Sequence, residues 1–315
     1  MKNVLIVGTG SISIEYVKVL NYLNVSFTVV GRGVESCNKF KKLTGNNSIS
    51  GGLQKFLKQN KLEFSHVINV VGVSELYETT KLILNYGINN ILVEKPGALY
   101  QKQISQLNKL ALKYNSSLFI AYNRRFFAST LEAKKIINND GGLKSFNFEF
   151  TEWAHEIKKL NKPKEVLNYW FLSNSSHIAD LAFFIGGLPK KIVSFHEGKL
   201  HWHPSASIFH GSGVTENNSL FSYNANWASP GRWSVEFLTK NHRLIFKPME
   251  KLQIQKIGSV DVNYVDIDYS NDIKYKPGFF LQTKNFLENN FEDLCTISYH
   301  ERIFKTYLKI ANYNE

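Results

Sequence analysis

The run Val4-Leu5-Ile6-Val7, passing without a polar break into Gly8-Thr9-Gly10, constrains the fold of this chain more than any other stretch. Four consecutive apolar residues suit a strand buried on both faces, as in a parallel sheet; a half-exposed strand would alternate. After the glycines, Ile12, Tyr16, Val19, Leu20 and Leu23 recur at helical spacing, so the glycines occupy a strand-to-helix turn. In such a turn Gly8 permits the tight bend. Gly10 lets a pyrophosphate approach the backbone where Ser11 and Ile12 open the helix with unpaired N–H groups. The third small position is Ser13 instead of glycine, which still allows close packing.

Phe27-Thr28-Val29-Val30 is the next strand, and it ends in Gly31-Arg32, where a dinucleotide-binding sheet reads the adenosine ribose. A carboxylate there would bind the 2′-hydroxyl of NAD, whereas glycine followed by arginine leaves room and charge for the 2′-phosphate of NADP. Lys39, Lys41 and Lys42 add basic surface, and the alternative is an exposed Arg32 with Glu35 on the ribose. Residues 67–71 and 91–93 read as further strands, separated by a helix carrying Leu76, Thr80, Ile83 and Leu84. This is the βαβ pattern of a doubly wound sheet. A helix over 104–114 and a strand over 118–121 complete a dinucleotide-binding domain at 1–121.

From residue 122 the periodicity changes. Phe146, Phe148 and Phe150 alternate with Ser145, Asn147, Glu149 and Thr151, which indicates a sheet with one packed face. Strands are expected over 192–196, 220–227, 233–238, 243–246 and 252–257, and helices over 280–291 and 297–311. Residues 154–167, with several lysines and Pro163, read as a mobile loop able to cover a site. The fold class is therefore an α/β Rossmann domain followed by an α+β domain with an open, largely antiparallel sheet. The second domain, 122–315, is expected to serve substrate binding and oligomerisation.

Charge and composition exclude several functions. The net charge of +12 over 315 residues comes from scattered lysines, with no dense basic block and no stacking motif beside one. Nucleic acid is therefore not the expected partner, and the positive field favours anionic small molecules instead. No apolar run reaches the length of a membrane span and the N-terminal apolar core is too short for a signal peptide, so a cytoplasmic location is expected. Cys37 and Cys295 are far apart and lack metal or redox spacing, so they read as inert thiols.

Val93-Glu94-Lys95-Pro96-Gly97 places a lysine before a proline where a strand ends, which holds that lysine in a restrained, extended turn. Val-Glu-Lys-Pro at 93–96, Ala-Tyr-Asn-Arg-Arg-Phe at 121–126, and His177-Ile178-Ala179-Asp180-Leu181 before Gly186-Gly187 follow the glycine turn in order. With these motifs the chain resembles, over nearly its whole length, the Gfo/Idh/MocA family of NAD(P)-dependent oxidoreductases. The resemblance implies an active-site lysine at Lys95, a cofactor-side neighbour at Glu94 and an acid/base histidine at His177. It also implies an aspartate four residues before that histidine, where this chain has Ser173. A serine forms hydrogen bonds but supplies no negative charge to the imidazole. Asp180 is expected to have a structural role, with partial compensation for the missing charge as the alternative.

The expected cofactor contacts are Gly8, Gly10, Ser11, Ile12, Gly31, Arg32, Glu94 and Lys95, with NADP preferred over NAD. The expected substrate contacts are Tyr122, Asn123, Arg124, Trp153, Ser173 and His177. Arg124 and Arg125 suit either an anionic substrate group or a salt bridge between domains. His201-Trp202-His203 has no acidic or cysteine partners, so no metal site is expected. With His196, His210, Trp153, Trp170 and Trp227 it more plausibly lines an aromatic pocket for a sugar-like substrate, or an interface. The open sheet is expected to pair with a second copy. The activity implied is hydride transfer to or from a hydroxyl or carbonyl carbon of a sugar or sugar nucleotide. Its rivals are a catalytically silent regulator that binds NADP and sugar, and a reductase of an imine or enone.

Overall fold

A computed structural model describes residues 2–60 and 63–313, and the chain divides into two compact units. The first is Met1–Asn123 with Asn271–Glu301; the second is Arg124–Ser270 with Arg302–Glu315. The first unit is thus larger than the expected 1–121 because it takes back a distant segment. The helix Phe279–Leu287 packs on the helix Ser11–Tyr22, with the Tyr16 and Phe279 rings 4.9 Å apart. The two-residue strand Cys295–Thr296 pairs antiparallel with the last strand of the first sheet.

The first sheet contains β1 (Asn3–Val7), β2 (Ser26–Val30), β3 (His66–Asn69), β4 (Asn90–Glu94) and β5 (Ser117–Ala121), all mutually parallel. Their spatial order is β5-β4-β3-β1-β2, with Cys295–Thr296 outside β5. Val4, Leu5, Ile6, Val67, Ile68, Ile91, Leu92 and Val93 are fully buried, which accounts for the unbroken apolar runs. The chain moves outward in opposite directions from β1 and β3, so a topological switch point lies between their carboxyl ends.

The second sheet contains β6 (Ser145–Glu149), β7 (Pro189–Glu197), β8 (Ile208–Thr215), β9 (Leu220–Asn226), β10 (Ser234–Leu238), β11 (His242–Phe246), β12 (Gln253–Lys256) and β13 (Asn263–Tyr264). All neighbours are antiparallel except β6 and β9. One face carries an aromatic ladder: Phe146 stacks on Phe221 at 5.5 Å and Phe148 on Tyr223 at 5.5 Å, each across the β6–β9 register. The helix Ser176–Gly186 lies on this face, Phe183 meeting Phe146, Phe148 and Phe221 edge-on. Gly186 sits against the Phe146 ring where a Cβ would collide, and Gly187 ends the helix at φ +91°.

The segment expected to be a mobile loop differs. It forms short helices at Ala154–Ile157 and Lys164–Asn168, with Ile157 and Val166 buried beneath them. Two apolar anchors in a lysine-rich stretch suffice to dock it.

His203 also departs from the expected pocket lining, being wholly buried between Trp227 and Phe209. Its Nδ1–H donates to the Ala206 carbonyl at 2.8 Å, and Nε2 accepts from the Tyr313 hydroxyl at 2.8 Å. Burial pulls its pKa down to about 4. The folded protein therefore excludes a proton that the unfolded chain accepts near pH 6.5, so stability is present above that pH and is lost as pH falls toward 4. The expected loss is on the order of 3 kcal/mol. Thermal unfolding of His203→Gln at pH 7 and pH 4.5 should show a smaller fall between the two than the parent protein shows.

Candidate functional site

The glycine turn after β1 borders a cleft of about 720 Å³ in the first unit. Its lining includes Gly8, Gly10, Gly31, Arg32, Glu35 and Val71, so the carboxyl ends of β1, β2 and β3 converge on it at the switch point. Three glycines have different reasons to be there. Gly8 has φ +122°, and a Cβ would stand 2.8 Å from the Val70 carbonyl oxygen. At Gly31 a Cβ would meet the Cys37 sulfur at 2.6 Å and the Thr9 side chain at 2.8 Å. Around Gly10 a Cβ would meet nothing within 4 Å. The backbone at position 10 therefore lies open to the cleft, as it does at Gly52 and Gly72.

Gly10 is also the N-cap of the helix Ser11–Tyr22, and no side chain caps it. The backbone N–H groups at Ser11 and Ile12 stand at a helix N-terminus, an arrangement suited to a phosphate. Ser13 turns inward, its hydroxyl donating to the Gly10 carbonyl at 2.6 Å. Arg32 is 82% exposed on its side chain and stands 3.5 Å from Glu75, a loose contact that a phosphate would displace at little cost. Glu35 lines the same cleft, so both alternatives for the ribose end remain in place.

Lys95 lies just past the carboxyl end of β4. The Lys95–Pro96 peptide is cis, and the Gly97 N–H donates to the Glu94 carbonyl at 3.0 Å, closing a four-residue turn. Gly97, at φ +77°, packs against Ile120. From the helix Ile297–Ala311, the His300 Nε2–H donates to the Pro96 carbonyl at 3.0 Å. The Tyr16 hydroxyl stands 3.3 Å from both Glu94 Oε1 and Gln282 Oε1. Burial and the Glu94 charge hold Tyr16 well above the usual phenol range, so it remains a donor. Burial likewise pushes the Glu94 carboxyl up, against the pull of Lys95 and Lys276. His300 was not picked out from the sequence, and Tyr16 only as a position on the apolar face of its helix. Of the residues expected to touch substrate, Tyr122 is buried in this unit beside His300, and the Asn123 amide donates to the Pro277 carbonyl at 2.8 Å.

In the second unit, His177 opens the helix Ser176–Gly186 and is largely buried. Ser173 lies in the preceding π-helical turn Phe171–Ser175, and its hydroxyl donates to the Val166 carbonyl at 3.3 Å. Asp180 does not supply the missing acidic function. Both its oxygens are held by Arg125, Nε at 2.8 Å and Nη2 at 2.6 Å, in a fully buried fork within this unit. Arg125 is thereby committed as well.

Arg124 is different. It makes no ion pair among the described residues, its guanidinium lies 4.9 Å from the Trp233 ring, and burial pulls its pKa down to about 10, which leaves it charged. A buried carboxylate that the sequence did not single out, Glu152, bonds the residues just before His177. Its Oε1 accepts from the Ser175 hydroxyl at 2.6 Å and the Asn174 amide at 2.8 Å. Burial raises its pKa in spite of these bonds.

Glu152 also borders a second cleft, of about 610 Å³, together with Trp153, Lys158, His201, Trp202 and Trp227. Trp202 and Trp227 stack at 5.8 Å and 11°. Of the aromatic and histidine residues expected to form a pocket, Trp153, His201, Trp202 and Trp227 line this cleft. Trp170 packs edge-on behind Trp202, His196 bonds the Ile310 carbonyl at 3.1 Å, and His210 is exposed on β8. Among the described residues no cluster of histidine, cysteine or acidic side chains could hold a metal, and no helix is long and apolar enough to cross a membrane. Cys37 and Cys295 are buried thiols.

No protein-family model and no curated protein matches the sequence. Solved structures do match over nearly the whole chain. A UDP-N-acetylglucosamine 3-dehydrogenase from Acidithiobacillus ferrooxidans is 13% identical with a TM-score of 0.77, covering 99% of this chain and 97% of its own. A levoglucosan dehydrogenase solved with NADH is 13% identical with a TM-score of 0.80, covering 99% and 96%. An oxidoreductase from Thermotoga maritima is 15% identical with a TM-score of 0.78, covering 99% and 97%. The chain therefore shares the fold of these structures, a mostly parallel sheet with helices and a second, largely antiparallel sheet, as its glycine turn and alternating phenylalanines led one to expect.

The Arg125–Asp180 pair yields a stability prediction. Asp180→Ala leaves a buried guanidinium without its counter-charge and should cost about 3–5 kcal/mol. Replacing both partners, as Arg125→Met with Asp180→Leu, should recover most of that loss, measured by urea unfolding.

Proposed function

We propose that the chain is an NAD(P)-dependent oxidoreductase of the Gfo/Idh/MocA family. Its reaction moves hydride to or from a hydroxyl or carbonyl carbon of a sugar or sugar-nucleotide-like molecule. The observation that carries this reading is the open space at Gly10, a bare backbone facing a cleft at the switch point of a parallel sheet. The resemblance of the motifs around Lys95 and His177 supports it, as do structural neighbours named as dehydrogenases of levoglucosan and of UDP-N-acetylglucosamine.

The nicotinamide group, when bound, supplies the carbon that gives or takes the hydride. The residues that would hold the cofactor are Gly8, Gly10, Ser11, Ile12 and Gly31 at the phosphates and ribose, with Glu94 and Lys95 at the far strand end. Arg32 favours NADP because its guanidinium is held only by a loose exposed pair. Lys95 and His177 carry the chemistry in this reading. An alcohol proton must leave or arrive as hydride moves, and a placed acid/base group is worth on the order of 10²- to 10⁴-fold. His177 is the proton carrier and Lys95 the cationic donor that polarises the oxygen. Tyr122, Asn123, Arg124, Trp153 and Ser173 contribute to substrate binding.

The silent-regulator reading has one observation in its favour. Ser173 stands where the resemblance expects a carboxylate, and its hydroxyl bonds to backbone. We also assign the exposed apolar side chains Val193, Phe195 and Leu220 on β7 and β9 to a homo-oligomer interface, and the protein to the cytoplasm.

Nicotinamide fluorescence should show NADPH binding more tightly than NADH, and Arg32→Ala should abolish the difference; equal affinities in the parent protein remove Arg32 from the ribose site. Lys95→Ala should end turnover at unchanged cofactor affinity, and His177→Ala should cost less. A Lys95→Ala protein with normal turnover would sink the mechanism, whereas a parent protein that binds cofactor and sugar without turnover would favour the regulator. The glycines separate packing from binding. Gly8→Ala should lose more than about 1 kcal/mol of stability. Gly10→Ala should keep the parent melting temperature and lose cofactor affinity.

A further inference from the structure

The strand β4 ends in two oppositely charged residues in succession, Glu94 and Lys95, and other elements of the first unit hold that corner from outside. From the helix Ser11–Tyr22 the Tyr16 hydroxyl stands 3.3 Å from Glu94 Oε1, and from the helix Phe279–Leu287 Gln282 Oε1 stands 3.3 Å from the same hydroxyl. A phenol has one proton to give, and a carboxylate is a stronger acceptor than an amide oxygen. The Tyr16 O–H therefore donates to Glu94. Tyr16 and Gln282 are fully buried and the Tyr16 ring lies 4.9 Å from Phe279, so packing fixes the phenol beside the carboxylate.

Burial works against an ionised Glu94. The ammonium charges of Lys95 and of Lys276, the Tyr16 hydrogen bond and the Lys95 backbone N–H work for it. Electrostatic coupling is mutual, so a cation that favours the carboxylate is favoured to the same extent by it. Lys95 thus draws on Glu94 for its counter-charge, and Glu94 draws on Tyr16 for a donor that brings no charge of its own. Burial and the Glu94 charge keep Tyr16 well above the usual phenol range, so it stays a donor. Two other titratable groups face the corner. Lys276 is exposed, and His300 donates to the Pro96 carbonyl at 3.0 Å from the helix Ile297–Ala311.

We propose that Tyr16 is a positioning residue for Lys95: its hydroxyl holds the Glu94 carboxylate at the strand end as the counter-charge of the lysine, which keeps Lys95 a cationic donor. What Lys95 does there rests on the oxidoreductase reading. The new element is a buried phenol on the glycine-turn helix that acts on the lysine only through Glu94.

The test is competitive acylation of the full chain with acetic anhydride from about pH 7 to about pH 11, with Lys95 acetylation read by peptide mass spectrometry. Only the uncharged amine reacts, so the midpoint of the profile reports the protonation of the lysine, and neither cofactor nor substrate is needed. Tyr16→Phe keeps the ring against Phe279 and should lower the Lys95 midpoint by about half a pH unit or more, and Glu94→Gln by about one unit or more. The double variant should shift no further than Glu94→Gln alone, because without the carboxylate the phenol has nothing to act through. Lys276, exposed and facing the same carboxylate, should shift less. A purely structural Tyr16 would change the melting temperature, or the extent of Lys95 labelling at every pH, and leave the midpoint in place. An unmoved midpoint in Tyr16→Phe or in Glu94→Gln, or a double-variant shift equal to the sum of the single shifts, overturns the proposal. NADPH separates it from the reading it rests on, since added cofactor should protect Lys95 in the parent protein. Labelling indifferent to NADPH counts against the oxidoreductase reading alone, whereas protection with an unmoved Tyr16→Phe midpoint removes only the role of Tyr16.

Discussion

The hydrogen bond from the Gly97 N–H to the Glu94 carbonyl closes the turn on which the first unit converges. It brings Lys95 and Pro96 round at the end of β4, where a parallel sheet presents its ligand-binding edge. Three helices then fasten that turn: Ile297–Ala311 through His300 on the Pro96 carbonyl, Ser11–Tyr22 through Tyr16 on Glu94, and Phe279–Leu287 through Gln282 on Tyr16. The helix that begins at the phosphate-suited glycine turn is therefore the same one that touches the lysine turn. Tyr16 thereby ties the strand end of β4 to the helix that follows the glycine turn. The segment 271–301 belongs to the first unit for the same reason.

The second unit solves a different problem. Its aromatic ladder buries one face of an open sheet under a single helix, and that helix carries both His177 and Asp180. The Arg125 fork pins Asp180, which fixes the rotation of the helix and hence the place of His177. Gly186 allows the helix to approach Phe146 closely. Packing groups and the candidate acid/base group thus share one element.

Much of this was readable from the chain. Unbroken apolar runs marked the parallel strands, Phe146-x-Phe148-x-Phe150 marked the half-buried sheet, and the helix Ile297–Ala311 falls where its periodicity placed it. The helices Val34–Thr44 and Gly52–Gln59 escaped because one buries only Cys37 and Phe40, and the other is eight residues long and opens on two glycines. β8 escaped because His210, Gly211, Ser212 and Gly213 carry no strand preference; its glycines are there to admit the Tyr223 and Phe221 rings. His300, Tyr16 and Glu152 matter through partners tens to hundreds of residues away, and no local pattern encodes such pairing.

The carboxylates show where the chain departs from the motif it resembles. Position 173 is a serine whose hydroxyl donates to the Val166 carbonyl, and Asp180 is held by Arg125. Glu152 is the remaining buried acid tied to the residues just before His177, and it comes from a strand end of the sheet instead of the histidine's own helix. A carboxylate on a helix one turn from a histidine would address the imidazole. Glu152 instead stands at a cleft wall beside Trp153, its Oε1 accepting from Ser175 and Asn174 and its Oε2 lying 3.5 Å from Arg232 Nη1. The acids of this chain are placed by buried partners, Asp180 by Arg125 on the helix that carries His177, and Glu152 by Ser175 and Asn174 at a wall of the second cleft.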